Sequence, residues 1–255
     1  IYGAQGNLGQ FLTYLWWEQA EIIPLDRCNA DISDFAALNK LFQNLDIDLI
    51  INAAAIHRVN MPENLYFEVN AKGAANLAAI ALSKQCQLWH FSCAQVLSGS
   101  VKKDPKAKLA PLDIISKSKA EGEELISKIL PKSQYRIIRL GEILGPNSMS
   151  WANNILNLVK KSPKLNLLDS FRFSISSTDL IDQVLTPALT NDQLANITHL
   201  THPEIWTPAT WGENIKKHFS LERELSTFSE ELSDSSLVSS FSIPLDLDKV
   251  IGATK

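Results

Sequence analysis

Three glycines near the start of the chain have the spacing of a phosphate-binding turn. They are Gly3, Gly6 and Gly9 in GAQGNLG, between a predicted strand end at residues 1–2 and a predicted helix over residues 6–19. Backbone N–H groups can approach a pyrophosphate closely only where no Cβ intervenes, and a helix start favours an anion. The spacing therefore predicts a dinucleotide site that includes Asn7 and Leu8. A strand–helix turn without a ligand would use the same glycines.

An acidic residue follows at the end of the second predicted strand, residues 21–26. Asp26 stands where a carboxylate usually accepts hydrogen bonds from the adenosine ribose of a dinucleotide. Arg27 comes next and could instead bind a 2′-phosphate, so the sequence leaves both NAD and NADP open. In the alternative interpretation, Asp26 is only a loop carboxylate at a strand end.

Strand and helix patterns alternate along the first 145 residues. The predicted strands cover residues 47–55, 87–93 and 135–141, and the predicted helices cover residues 34–45, 64–86 and 111–126. Ser33 is the predicted N-cap of the first of these helices. The alternation predicts an α/β fold, a doubly wound parallel sheet of the Rossmann type with helices on both faces.

The pattern loosens after about residue 145. Helices are predicted for WANNILNLVKK, TDLIDQVLTPAL and WTPATWGENIKKHF, the last with Thr207 as N-cap and Pro208 at its first position. One late strand is predicted at residues 197–203, and the Ser- and Glu-rich segment 220–242 is predicted to be exposed. We therefore expect a dinucleotide-binding domain at residues 1–145 and a smaller C-terminal α/β lobe at residues 146–255, partly interleaved with it.

Composition excludes several classes of function. The chain has 255 residues, 45% of them hydrophobic, and a net charge of -4, which gives no basic face for nucleic acid. No apolar run approaches the roughly 20 residues that span a bilayer. Three irregularly spaced cysteines predict neither a disulfide framework nor a zinc site, so a cytoplasmic location is expected. Because the first residue is Ile, N-terminal residues are expected to be missing.

Several phrases of the sequence resemble one enzyme family. GAQGNLGQ, PLDRCNADISD, IDLIINAAA, FEVNAKGAANLA, HFSCAQVLSG and PLDIISKSKAEGE occur in the order and approximate spacing of extended short-chain dehydrogenase/reductases. More narrowly, the chain resembles dTDP-4-dehydrorhamnose reductases, well over residues 1–145 and weakly thereafter.

The resemblance implies an NAD or NADP site with named residues. Gly3, Gly6 and Gly9 would line the pyrophosphate, and Asp31 and Ile32 would lie beside the adenine. The ribose side would be formed by Asn52, Ala53 and Ala54, and Asn70 would brace the middle of the sheet. The Asn-Ala-Ala run is also typical of any tight strand end.

The catalytic positions depart from the family pattern. The family uses a Ser or Thr after the fourth strand and a Tyr four residues before a Lys. The Tyr protonates the substrate, and the Lys lowers the pKa of that Tyr. Here Lys119 holds the Lys position, but Ile115 holds the Tyr position and Cys93 the Thr position. An alkyl group cannot donate a proton, and a thiol is a weak donor. The departure predicts weak or no reductase activity. In the alternative interpretation, Lys119 is a helix-face lysine one turn before Glu123.

The substrate positions also depart from the family. The Gln-x-Gly-x-Pro-Thr phrase that cradles the sugar nucleotide aligns with SFRFSI, residues 170–175, and none of its residues is kept. Glu142 and Leu144 replace an aromatic pair, and the loop after Gly99 is shorter than in the family. Each change weakens the expectation of an ordinary substrate.

Two main hypotheses follow, and the sequence does not decide whether the chain is an enzyme. It could be an active NAD(P)H-dependent sugar-nucleotide 4-keto reductase with a substitute acid, such as His57 or a water held by Lys119. It could instead be a non-catalytic regulatory or ligand-sensing subunit with a protein partner. A weaker third hypothesis is a protein that acts on another carbonyl substrate. The resemblance also implies a possible homodimer through the helix at residues 111–126. Cys93 as a nucleophile is disfavoured because no base lies beside it in the sequence.

Overall fold

A computed structural model of the chain describes most of its residues. The described ranges are 1–57, 59–99, 103–146, 148, 150–191, 193–229 and 239–252. The chain divides into two compact units. Unit 1 comprises Ile1–Val96, Pro111–Arg139 and Asp192–Thr198, and unit 2 comprises Leu97–Ala110, Leu140–Asn191 and His199–Lys255. The proposed domain boundary at residue 145 stays a prediction.

Unit 1 is built around a sheet with the strand order β1-β2-β3-β7. Its strands are β1 (Leu49–Asn52), β2 (Gln87–Cys93), β3 (Tyr135–Leu140) and β7 (Ile197–Leu200). Strands β1 and β2 are parallel, and Tyr2 forms parallel bridges with Leu25 on one side and Asn52 on the other. The N-terminal segment therefore lies between residue 25 and β1, at the edge of the sheet.

Helices cover both faces of this sheet. They are α1 (Asn7–Trp16), α2 (Phe35–Phe42), α3 (Glu63–Tyr66), α4 (Gly73–Lys84) and α5 (Ile114–Ile129). Trp16 of α1 packs edge-on against Trp89 of β2, with ring centroids 6.3 Å apart. The neighbouring Leu88 belongs to the core that contains Leu77 and Ile126 of α4 and α5. Because adjacent strand residues point to opposite faces, the sheet is doubly wound, and the predicted fold class is confirmed.

The structure corrects three details of the prediction. Ser33 is not the N-cap of α2; the Asp34 carboxylate caps this helix at Ala37 N, 3.0 Å away, while the Ser33 hydroxyl donates to Asp31. The second strand shrinks to a bridge at Leu25, as expected of a segment that contains proline. The long helix over residues 64–86 includes a π-helical stretch, Phe67–Lys72, between α3 and α4.

Within the described residues, unit 2 has two small sheets and a separate core. Strands β4 (Glu142–Leu144), β6 (Phe173–Ser177) and β8 (Ile205–Trp206) form one sheet, and β5 (Lys164–Leu168) pairs with β9 (Glu224–Phe228). The helices are α6 (Trp151–Lys161), α7 (Thr178–Ala188), α8 (Pro208–His218) and α9 (Leu247–Gly252). Thr207 caps α8 as predicted. Strand β9 lies in the segment predicted to be merely exposed, and residues 230–238 of that segment lie outside the described residues.

Two kinds of feature are absent from the described part of the chain. No helix there is long and apolar enough to cross a membrane. Nor does that part contain a group of three or more His, Cys, Asp or Glu residues able to hold a metal ion.

Candidate functional site

The glycine turn is shaped by close backbone contacts. Gly3 has a φ of +88°, a conformation that favours glycine, and a Cβ there would lie 2.5 Å from Ala54 N. A Cβ on Gly9 would lie 2.1 Å from Gly3 O. Neither position has room for a side chain, so these two glycines are required to bring the turn, α1 and the end of β1 together.

Gly6 differs because its surroundings are less crowded than those of Gly3 and Gly9. A Cβ there would meet only Gly3 O, at 3.3 Å, and Gly6 is the N-cap of α1 with no side-chain cap. Asn7 and Leu8 begin the helix, which has no acidic residue in its first turn. The first N–H groups of such a helix attract an anion. The turn therefore fits the pyrophosphate of a dinucleotide.

The end of β1 is held beside this turn. Ala53 N donates to Tyr2 O at 2.9 Å, and Ala54 N donates to Asn52 Oδ1 at 3.1 Å. The three residues Asn52, Ala53 and Ala54 thus lie next to the glycine turn. Their role toward a ribose stays a prediction.

Asn70 has a different position from the one that the resemblance implies. Its amide does not brace the sheet: Oδ1 accepts from Ile56 N at 2.7 Å, and Nδ2 donates to Ile56 O and Ser118 Oγ, each at 2.9 Å. The side chain lies on the π-helical stretch and ties the loop after β1 to α5. This arrangement fixes α5 relative to the strand ends.

The residues predicted near the adenine form a compact loop. Asp26, Arg27 and Asp31 lie between Leu25 and Ile32, and Ile32 is buried. Ile32 O accepts from Asn76 Nδ2 at 2.9 Å, which ties the loop to α4. The structure therefore brings this acidic loop and the glycine turn to the same sheet edge, since Gly3 N donates to Leu25 O at 2.8 Å.

The catalytic positions lie on β2 and α5. Cys93 is the last residue of β2, and Ile115 and Lys119 lie one turn apart on α5, whose N-cap Asp113 forms a capping box with Ser116. All three side chains are half-buried. Burial raises the pKa of the Cys93 thiol, while the charge of Lys119 acts in the opposite direction. The charge of Lys119 therefore acts on the thiol of Cys93, and an alkyl group stands at the Tyr position.

Lys119 and His57 are the two residues considered above for a substitute acid. In the described ranges, no hydrogen bond or ion pair engages its ammonium group. His57, the alternative acid, lies exposed on the loop after β1. A role for His57 as a proton donor stays a prediction.

Two buried polar side chains on β2 were not anticipated from the sequence. Because Asn52 Oδ1 accepts from Ala54 N, its Nδ2 is the atom that donates to His90 Nδ1 at 3.0 Å. His90 must then carry its proton on Nε2, and that buried atom has no hydrogen-bond partner in the described ranges. The buried Ser92 Oγ, on the same face, has none either. An alternating polar pattern in an otherwise apolar strand was the only signal that could have revealed them.

His90 predicts a pH dependence of stability. Burial lowers the pKa of this imidazole from 6.5 to about 3, with a further contribution from Lys119. Between pH 6.5 and about pH 3, His90 is protonated in the unfolded chain but neutral in the folded chain. The free energy of unfolding therefore decreases as the pH falls toward the folded pKa. We expect His90 to contribute a loss of about 1.4 kcal/mol per pH unit in this interval.

Urea unfolding of the wild type and His90→Leu, at about pH 7 and about pH 5, measures this contribution. The variant should lose less free energy of unfolding between the two values than the wild type. Equal losses would contradict a neutral, buried His90. His202, whose pKa burial also lowers, is present in both proteins and cancels from the difference.

In unit 2, three of the six positions aligned with the family's substrate phrase are buried. Phe173, Ser174 and Ile175 are buried in β6. Glu142 accepts from Trp151 N at 2.9 Å, and burial raises the pKa of its carboxyl. These residues therefore contribute to the packing of unit 2.

Comparison with known proteins identifies relatives among sugar-nucleotide reductases. A family model described as the RmlD substrate binding domain matches residues 1–236. A dTDP-4-dehydrorhamnose reductase of Aggregatibacter actinomycetemcomitans is 30% identical over 175 residues, which are 66% of this chain and 59% of that protein. A dTDP-4-keto-6-deoxy-D-glucose reductase of Streptomyces niveus is 24% identical over 228 residues, 87% of this chain and 77% of that protein.

Solved structures show the same fold. The dTDP-4-dehydrorhamnose reductase of Bacillus anthracis, in complex with NADP, has a TM-score of 0.87 at 18% identity, covering 99% of this chain and 97% of that one. The enzyme WbmG of Bordetella bronchiseptica, in complex with NAD, has a TM-score of 0.83 at 15% identity, covering 98% and 90%. Because the family model covers most of its length, this chain belongs to the RmlD substrate-binding-domain family of dTDP-4-dehydrorhamnose reductase-like proteins.

Proposed function

We propose that this chain binds a nicotinamide dinucleotide at the glycine turn and has little or none of its family's reductase activity. The observation that carries the proposal is an alkyl side chain, Ile115, one helical turn before Lys119 on α5. The glycine turn has the close backbone packing that the approach of a pyrophosphate needs. A chain of this kind would bind the cofactor without catalysing the reduction.

The missing group is a proton donor. A reduced nicotinamide supplies a hydride to a carbonyl carbon, and the carbonyl oxygen must then take a proton from an acid. Ile115 cannot provide one, and Cys93 is a weak donor whose pKa is raised by burial. Removal of a general acid costs roughly 10²–10⁴ in rate. Lys119 remains able to donate hydrogen bonds to a ribose hydroxyl, which needs no acid at residue 115.

The relatives indicate which ligands to try. Two of them are named as reductases of dTDP-linked keto sugars, and structural neighbours have been solved with NADP or NAD. We therefore propose a nucleotide sugar as the small-molecule ligand of this chain as well. Such a protein would act as a ligand sensor or as a regulatory subunit for another protein.

A binding titration followed by a turnover assay tests the proposal. NADH and NADPH are titrated by fluorescence, and oxidation of the bound cofactor is then followed with a dTDP-4-keto-6-deoxy sugar. We expect saturable binding of at least one cofactor and turnover far below the ordinary range of about 1–10³ s⁻¹. Turnover within that range would refute the loss of activity, and failure to bind either cofactor would refute the binding.

A pair of glycine variants tests the location of the binding site. Gly6→Ala should fold normally, because the backbone of Gly6 has φ -74° and ψ 161°, which alanine adopts easily. Its methyl group would point into the space that a phosphate must approach, so we expect roughly tenfold or weaker binding of the reduced cofactor. Gly9→Ala should instead lower the melting temperature, since its Cβ would lie 2.1 Å from Gly3 O. Unchanged cofactor affinity in Gly6→Ala would place the binding site elsewhere.

A further inference from the structure

The loop from Asp26 to Asp31 borders the glycine turn and carries three charged side chains. Gly3 N and Ala4 N both donate to Leu25 O, at 2.8 and 3.1 Å, so the loop begins directly beside the turn. The charges of Asp26, Arg27 and Asp31 therefore set the electrostatic field at the adenosine end of the proposed cofactor site.

Asp26 is held in place with one oxygen left open. Its Oδ1 accepts from Cys28 N at 2.6 Å, and its backbone N–H donates to Asn29 Oδ1 at 2.9 Å. Within the described ranges, no hydrogen bond or ion pair reaches Asp26 Oδ2. A half-buried carboxylate fixed in this way is a ready acceptor for a ribose hydroxyl.

Arg27 is already engaged by a second carboxylate. Its Nε lies 3.3 Å from Asp31 Oδ2, although 89% of its side chain is exposed. Asp31 Oδ1 accepts from Ser33 N and Ser33 Oγ at 2.9 and 2.7 Å, and these bonds lower the pKa of Asp31 and keep it charged. Lys72, the other cation that acts on Asp31, is itself paired with Glu68 at 2.8 Å. A 2′-phosphate would have to draw Arg27 away from its partner.

Tyr2 reports the sign of the field at this place. The pKa of its phenol is raised to about 12, first by burial and then by the charges of Asp31 and Asp26. Arg27 opposes them but acts more weakly than either carboxylate. The three charges together therefore disfavour a negative charge at the Tyr2 phenol.

We infer that the adenosine end of this site selects NAD(H) over NADP(H), because Asp26 and Asp31 repel a 2′-phosphate while Asp26 binds the ribose hydroxyl that NAD retains. The inference rests on the proposed binding of a nicotinamide dinucleotide. A 2′-phosphate carries a charge of about −1.5 to −2, so two nearby carboxylates oppose it strongly at low ionic strength. The discrimination should weaken as salt shortens the screening length, which is about 10 Å at 0.1 M.

Fluorescence titration of the whole chain with NADH and with NADPH tests this inference. We expect NADH to bind roughly tenfold or more tightly than NADPH at low salt, and the ratio to shrink in high salt. Asp31→Asn keeps an acceptor for Ser33 but removes a charge and frees Arg27. This variant should bind NADPH several-fold more tightly than the wild type does, so that the ratio of the two affinities shifts toward NADPH.

The matched control is Asp34→Asn, which makes the same change of net charge at the N-cap of α2, where asparagine caps as well as aspartate. It should leave the ratio of affinities near that of the wild type. Equal or tighter binding of NADPH by the wild type would overturn the inference while leaving the proposed function intact. An Asp31→Asn variant that folds but keeps the wild-type ratio would also overturn it. Binding of neither cofactor would overturn the proposed function as well.

Discussion

The double variant Ile115→Tyr, Cys93→Thr should gain reductase turnover of roughly 10²–10⁴ over the wild type. The tyrosine would stand one turn before Lys119 on α5, and residues four apart on a helix are neighbours. The ammonium group would lower the pKa of the new phenol toward neutral pH. The threonine would supply the hydroxyl donor that the Cys93 thiol replaces.

The measurement is NADH or NADPH oxidation with a dTDP-4-keto-6-deoxy sugar, for the wild type and each variant. Ile115→Phe combined with Cys93→Thr is the matched control, because it has the bulk of tyrosine without its hydroxyl, and it should remain inactive. Adding Lys119→Met to the active double variant should remove most of the gain. A double variant that folds and binds cofactor but shows no gain would contradict the assignment of the lost activity to these two positions.

The sequence predicted those parts of the molecule that depend on local signals. The glycine turn, β2 and the start of α8 at Thr207 and Pro208 each follow from residues adjacent in the chain. Asp34, and not Ser33, caps α2 because Asp31 competes for the Ser33 hydroxyl. Whether Ser33 caps the helix depends on the partner of its hydroxyl, which the sequence alone does not give.

Contacts between residues that lie far apart in the chain could not be predicted from the sequence. The hydrogen bond from Asn52 to His90 joins two strands whose residues are far apart in the chain, and it fixes a tautomer that no pattern encodes. The bonds of Asn70 to Ile56 and Ser118 likewise depend on how α5 packs. The roles of Lys119 and Cys93 toward a substrate rest on resemblance, because chemistry at these positions needs a ligand to define it.

The largest expected effect on stability comes from the ion pair between Glu123 of α5 and Arg139 of β3. Arg139 Nη2 lies 2.7 Å from Glu123 Oε2, and Arg139 Nε lies 3.1 and 3.2 Å from the two carboxylate oxygens. The two side chains are only 2% and 3% exposed. Removing Arg139 leaves the Glu123 carboxylate buried without its ion-pair partner, so Arg139→Met should lower the free energy of unfolding by about 3–5 kcal/mol.

Urea unfolding of Glu123→Leu, Arg139→Met and the double variant separates the pair from its surroundings. The double variant should be more stable than either single variant, because well-packed apolar groups often replace a buried ion pair at little cost. Lys164→Met provides the comparison, since Lys164 and Glu224 pair at 2.9 Å but are 69% and 68% exposed, and it should cost less than about 1 kcal/mol. Additive effects of the two single changes would contradict direct coupling. A strong coupling between Glu123 and Arg139 would show that this charge pair fixes α5, which carries Ile115 and Lys119, to the sheet. Because the pair does not depend on catalysis, a chain without reductase activity would still hold Lys119 in its place.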